Sequence, residues 1–342
     1  MTAIPLGAVH PRHGTHEPTS GTPLRTPGSV RRTATTDMLR PEGLSGPLVL
    51  LGRARDLVTG AGGTGRVVAE ASSRVRIDFT GGRVIEAIET TPPRPALAAL
   101  VGVRASSGFR TAALAADPAL PEENGLFNLL LDDIPVTTLV SGHAWGAGTP
   151  VERRLPVVTM RSHLIRDQCA GFADGATIMA EVDRTGLPPL VTGPAALPLV
   201  DPSADDADPD GWHPTDPLPP HGMRRTRRLD VRPGTPTVVD VLFRDSYVRP
   251  DGLETVIHEY TVAMEVDPEA AVVLACEATP RVLPWQECPA AALSARRLAG
   301  QPLAGLRQHV RETFGGTSTC THLNDTLRSL EDVPALLALV AD

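Results

Sequence analysis

Between Phe314 and Leu323 the chain reads Phe-Gly-Gly-Thr-Ser-Thr-Cys-Thr-His-Leu, which sets the Cys320 thiol and the His322 imidazole two residues apart behind a glycine turn. Cys288 lies 32 residues upstream of Cys320, and His258 lies 30 residues before that. Thiolate and neutral imidazole are ligands that Zn takes in tetrahedral sites, so His258, Cys288, Cys320 and His322 form a candidate metal set, for Zn first and Fe second. A metal-free thiol site and plain packing of small apolar cysteines are the competing readings, because Cys-x-His alone lacks the paired rhythm of a zinc finger. The Gly315-Gly316 turn ahead of a helix would also offer backbone N–H groups and a positive dipole end, which lower the pKa of a thiol or hold an anion.

Other residues could move protons or hold a substrate. Glu259 follows His258 directly, and with His258 and Cys320 it makes a candidate catalytic group in which the carboxylate serves as base. Arg307 and Arg311 are four apart on one helix face, a spacing that could clamp a substrate carboxylate or phosphate. His10, His13 and His16 repeat at every third position and could ligate a metal, although a solvated tail explains them more simply. Cys169 and Cys276 sit in apolar surroundings that fit core packing.

These side chains need elements to position them, and the two ends of the chain suggest what those are. Arg31-Arg32-Thr33 with Asp37 is answered by Arg224-Arg225-Thr226 with Asp230, and Arg55-Asp56 by Arg244-Asp245. Glu89-Thr90-Thr91-Pro92 is answered by Glu277-Ala278-Thr279-Pro280, and Leu131-Asp132-Asp133 by Leu323-Asn324-Asp325. Alternation of apolar residues over 67–79 and 259–266, with turns at Gly81-Gly82 and Asp267-Pro268, predicts antiparallel strands with one buried face. Pro289 to Leu298 and Thr321 to Leu330 read as helices that follow the strands.

The expected fold class is therefore α+β, as tandem pseudo-duplicated units, each an antiparallel β-meander packed against C-terminal helices. The expected organisation is an extended arm over 1–30, a first copy over 31–135, an insertion with an acidic solvated linker over 136–220, and a second copy over 221–342. By this alignment Ala69 stands where the second copy has His258, Asn128 where it has Cys320, and Leu130 where it has His322. Only the second copy keeps the ligand types.

Composition narrows the chemistry. All 32 basic residues are Arg, so Walker A, pyridoxal-phosphate and Schiff-base lysine chemistry is excluded. A net charge of -8 gives no general attraction to nucleic acid or anionic membrane. Four cysteines and no apolar run of 18 residues predict a cytoplasmic protein with reduced thiols and no membrane span.

The stretch Arg311 to Leu323, with Cys288-Pro289 upstream, resembles the bacterial domain of unknown function 2889, whose usual ending is Gly-Cys-Thr-His-Leu; Thr319 stands here for the usual Gly. His10 to His16 and Pro27 to Thr33 are similar to the longer, two-copy members of that family. The resemblance implies a bacterial setting in which organic, including aromatic, compounds are degraded. A more distant similarity is to iron-sulfur scaffolds of the IscU and NifU type: Cys288 matches their middle cysteine, Cys320 or His322 their terminal pair, and His258 falls near their first cysteine. The resulting expectation is a Zn- or Fe-dependent lyase or hydrolase acting on a small organic, aromatic or acyl substrate, with no nucleic-acid or membrane partner and with homo-oligomers allowed. An iron-sulfur or sulfur-handling scaffold and a non-catalytic interaction protein are the alternatives.

Overall fold

A computed structural model describes residues 14–120, 125–150, 152, 165–200 and 208–341. His10 and His13 lie outside these residues. The chain forms an eight-stranded antiparallel sheet: β1 (Ser29–Leu39), β2 (Leu48–Thr59), β3 (Gly65–Asp78), β4 (Val84–Thr91), β5 (Met223–Arg232), β6 (Thr237–Val248), β7 (Glu254–Asp267) and β8 (Val272–Val282). Seven α-helices accompany it among the described residues: α1 (Phe109–Ala116), α2 (Leu126–Val140), α3 (Gly142–Gly148), α4 (Thr177–Thr185), α5 (Leu306–Thr313), α6 (Thr321–Arg328) and α7 (Val333–Ala341). None of these helices is long and apolar enough to cross a membrane. The class is α+β, as the alternation patterns predict.

The strand order is β4-β3-β2-β1-β5-β6-β7-β8. Each four-strand meander thus runs outward from the centre, where β1 pairs antiparallel with β5 from Val30 opposite Val231 to Met38 opposite Met223. The two meanders share one continuous sheet, and the cross-strand pairs at the join are charged: Arg31 donates to Asp230, and Arg224 to Asp37. Their bidentate geometry uses the planar guanidinium fork, which a lysine could not reproduce.

One face of the sheet carries the helices and the apolar core. Val239, Val241, Phe243, Tyr260, Val262 and Met264 pack there against α6, α7 and the Cys288–Leu298 segment, while Leu48, Leu50, Val75 and Ile77 pack against α1 and α2. The Ala-rich Cys288–Leu298 segment is a 3-10 helix rather than the expected α-helix, although its Pro does occupy the first turn. The other face is polar and is covered by extended chain. His16 of the arm pairs with Val282 of β8, Arg244 donates to the carbonyls of Thr19 and Leu197, and His213 sits buried between the Thr33 and Thr35 hydroxyls.

This covering corrects the expectation of a solvated acidic linker at its described end. Asp208 accepts from Arg25 at 2.6 and 2.9 Å, and the carbonyls of Asp210 and Gly211 accept from Arg55 and Arg31. Residues 208–213 form a strap packed against the sheet, since Arg25, Arg31 and Arg55 need acceptors that water no longer supplies.

Candidate functional site

The site starts from an irregularity in β7. Asp245 of β6 faces His258, but the next residue, Ser246, faces Val256, so Ile257 is the extra residue of a β-bulge. Bulges bend a strand and re-aim the neighbouring side chain. Successive residues of a strand point to opposite faces. His258 therefore faces the helices together with Asp245, and Glu259 faces the extended chain that covers the other face.

From the helix side, α6 supplies His322 in its first turn. The His258 and His322 rings stack with centroids 3.6 Å apart and 20° between planes. His258 Nδ1 lies 3.6 Å and His322 Nε2 3.7 Å from Asp245 Oδ2. One ligand atom from each of the three residues lies within 4.8 Å of the other two, which makes this the group able to share an ion among the described residues. Both imidazole nitrogens are buried and have no hydrogen-bond partner among the described residues.

Asp245 is fully buried and is held by Arg225, whose Nε and Nη2 donate to Oδ1 and Oδ2 at 2.8 and 3.0 Å. Burial works to raise its pKa, but the Arg225 charge, with His258 and His322 alongside, outweighs that and holds the carboxyl well below the usual carboxylate range. The same guanidinium donates through Nη1 to Asp133 of α2 at 3.1 Å and Asp325 of α6 at 2.9 Å. Burial, and then the nearby charges of His258, Arg225 and Arg227, push the pKa of His322 well down against the opposing pull of Asp245, so the imidazole is neutral. His143 of α3 packs edge-on against Tyr247 at 4.8 Å and lies near His258; burial and that neighbour lower its pKa to about 4.

His322 presents Nδ1 on the opposite side of its ring to Nε2. Cys320 Sγ lies 3.7 Å from that Nδ1. Three thiols gather beyond it: Cys320 is the residue that precedes α6, Cys288 opens the 3-10 helix, and Cys169 precedes the turn Ala170–Phe172, which is tied to Cys320's neighbour by Ala170 N–H donating to the Thr319 carbonyl. Gly171 fits closely here: a Cβ would come 2.8 Å from Cys288 Sγ, which would have to shift. The buried Tyr260 hydroxyl faces the same three thiols. Burial raises the pKa of all three, that of Cys320 to about 12, and this outweighs the backbone N–H groups of His322 and Leu323 that favour its thiolate. The depressed thiol pKa expected from the glycine turn is therefore reversed, since burial costs the charged form more than one helix end returns.

The sequence candidates thus divide. His258 and His322 meet; Cys320 and Cys288 lie on the far side of the His322 ring, outside the group that includes Asp245. Glu259 is not at this site: its carboxylate, fully buried on the other face, accepts from Arg244 Nε at 2.6 Å and from Thr19 N–H at 2.6 Å, so it has no path to His258's partners. Arg307 is spent on structure, donating to Asp332 at 2.5 Å and to the Arg328 carbonyl at 3.0 Å, whereas Arg311 is exposed. Cys276 is buried on β8 in the core. Sequence reading missed Asp245 as a site residue. Its signal was its place in Arg244-Asp245, on the strand beside that of His258, which points to a ligand only once the register between β6 and β7 is known.

The fold and site together define an α+β protein with a buried His-His-Asp cluster beside three thiols. Residues 223–336 match the family model described as protein of unknown function (DUF2889), a span that runs from β5 into α7 and includes Asp245, His258, Cys288, Cys320 and His322. Neither the curated proteins nor the solved structures gave a match to the chain.

Proposed function

We propose that Asp245, His258 and His322 hold one Zn or Fe ion and that the protein is a metal-dependent lyase or hydrolase acting on a small organic substrate. The observation that carries this reading is the separation of the three ligand atoms. At 3.6 and 3.7 Å they are too far apart to hydrogen-bond. Two ligands each about 2.1 Å from one tetrahedral ion lie about 3.4 Å apart, so the spacing suits a shared ion. Two imidazoles and one carboxylate are also a known set for Zn hydrolases and for non-haem Fe(II) sites. The orphaned ring nitrogens would gain their missing partner.

Such an ion supplies a Lewis acid that polarises a carbonyl or lowers the pKa of bound water. The chain's own groups set its surroundings. Arg225 orients Asp245 and balances its charge, Cys320 meets the outer nitrogen of His322 and fixes the ring's tilt, and the buried walls keep competing water out. His143, neutral beside His258, takes the proton-moving role that Glu259 cannot fill.

Metal analysis of the purified protein tests the reading. About one equivalent of Zn or Fe in wild type, lost in Asp245→Asn and in His322→Ala while both variants stay folded, is the expected result; metal-free, folded wild type isolated without chelator rejects it. The thiol trio favours a second reading, a sulfur-handling scaffold in the manner of the distant iron-sulfur resemblance. That reading requires acid-labile sulfide or a visible chromophore that disappears in Cys288→Ala rather than in Asp245→Asn.

Two further elements belong to the same proposal. The mirrored strand order and the matching Arg-Asp pairs support descent of the two halves from one duplicated unit, with 31–135 as the copy that lost its ligands. The bulge favours this too: β3 has its own between Asp56 and Leu57 of β2, and it puts Ala69 opposite Asp56 as His258 is opposite Asp245. A cytoplasmic setting without nucleic-acid partners belongs to the same reading, supported by the net charge of -8 and the four unpaired cysteines.

A further inference from the structure

Where α1 and α2 of the first half meet α5 of the second, there is a cavity of about 160 Å³ that shares no lining residue with the His-His-Asp cluster. About 150 Å³ is enough to hold one benzene ring. Its apolar lining includes Leu120 and Leu131, and its polar lining includes Arg110, Asn128, Arg307 and Arg311.

The cations there are not equivalent. Arg110 is neutralised by Asp132, at 2.5 Å, and Arg307 by Asp332, at 2.5 Å. Arg311, which is exposed and lines the cavity, has no hydrogen-bond or ion-pair partner among the described residues. Asn128 Nδ2 is buried and likewise has no partner among them. A buried amide donor without an acceptor is costly, and with an unspent guanidinium lining the same cavity it describes half of an anion site. The carboxylates nearby do not fill it: Asp132 is already shared between Arg110 and Arg328, and Glu331 accepts the Arg307 backbone N–H.

We infer that this cavity binds a small carboxylate with a compact apolar body, of the size of a single aromatic ring or a short branched chain. The carboxylate meets Arg311 and the Asn128 amide; the body lies on Leu120 and Leu131. The clamp that sequence spacing assigns to Arg307 and Arg311 is thus made by Arg311 with a residue from the other half of the chain. This inference does not depend on a metal at Asp245, His258 and His322, since the two places have no residue in common.

Calorimetric titration of the full chain at constant ionic strength tests it, with benzoate, isobutyrate, benzyl alcohol and inorganic phosphate as probes. The expected result is saturable binding of benzoate or isobutyrate, weakened about tenfold or more in Arg311→Ala, as loss of a charge-assisted hydrogen bond implies, weakened also in Asn128→Leu, and unchanged in His322→Ala. Arg311 is exposed, so its removal leaves folding intact, and thermal melts of each variant verify this. Failure of both carboxylates to bind, or binding indifferent to Arg311→Ala, overturns the inference. So does benzyl alcohol or phosphate binding as tightly as benzoate, since the site would then read only a ring or only a charge.

Discussion

His322 faces two chemistries at once. Its Nε2 looks toward Asp245 and its Nδ1 toward Cys320, with 3.7 Å on each side. If an ion sits on the Nε2 side, the Nδ1 proton is donated to the thiol, and Cys320 acts by holding the ring rather than by binding the metal. Cys320→Ala is then expected to keep one equivalent of bound metal while weakening its affinity about 10- to 100-fold, the usual cost of losing a partner of a ligating imidazole. Competition against a chromophoric chelator measures this directly. Loss of the metal altogether would mean that the thiol is itself a ligand, as the Cys-x-His spacing first suggests.

At the scale of the element, the β7 bulge decides which residues reach the helix side, and a separate covering segment, residues 193–196, decides where β7 can lie. Gly193 passes so close to the bulge that a Cβ would meet the Val256 carbonyl oxygen at 1.6 Å. Pro194 and Ala196 of the same segment pair with Val256 and Glu254 through backbone hydrogen bonds, so this segment cannot simply swing away. Gly193→Ala is expected to destabilise the protein by about 1–3 kcal/mol through this overpacking. Urea denaturation should show a lower midpoint with unchanged slope. Gly62→Ala, where nothing lies within 4 Å, is the matched control and should leave the midpoint in place.

Across the whole molecule, buried Arg-Asp pairs bind the halves together. Arg225 of β5 reaches Asp133 of α2, Arg32 of β1 reaches Asp332 near α7, and Arg328 of α6 reaches Asp132 of α2. Removing one partner of such a pair leaves a buried charge and costs about 3–5 kcal/mol. Buried histidines with lowered pKa make stability acid-sensitive: His143 and His322 on the helix side, and His213 on the other face. His213 lies between Thr33 and Thr35, and burial, with Arg55, Arg224 and Arg53 nearby, lowers its pKa to about 4. Above about pH 6.5 His213 is neutral whether folded or unfolded and contributes no pH dependence. As the pH falls from there toward 4, the unfolded chain takes up a proton that the folded one refuses, so stability drops, and below 4 this contribution levels off. The loss attributable to His213 is on the order of 2 kcal/mol, and His213→Asn should flatten the fall in urea midpoint between pH 7 and 4.5. An equally steep fall in the variant would place the acid sensitivity at another group.

Much of this arrangement can be read along the chain, because it depends on local rules. Strand alternation, the turns at Gly81-Gly82 and Asp267-Pro268, and the helical spacing behind Gly315-Gly316 follow from side-chain periodicity and backbone freedom, which act over a few residues. The same locality makes His258 and His322 stand out, since imidazoles are few and chemically distinct. What locality cannot supply is the side of the sheet on which a residue falls once a bulge intervenes, and this is why Glu259, next to His258 in sequence, ends up bonded to Arg244 on the far face. Nor can it supply the partner of a long side chain: Asp245 joins the histidines only through the register of β6 with β7, and Arg311 and Asn128 line one cavity only because the fold brings α5 to α2 from far along the chain. Burial, too, is a property of the packed whole. The thiol of Cys320 looks activated beside a helix end, and becomes a neutral group because everything packed around it excludes the water that its charge would need.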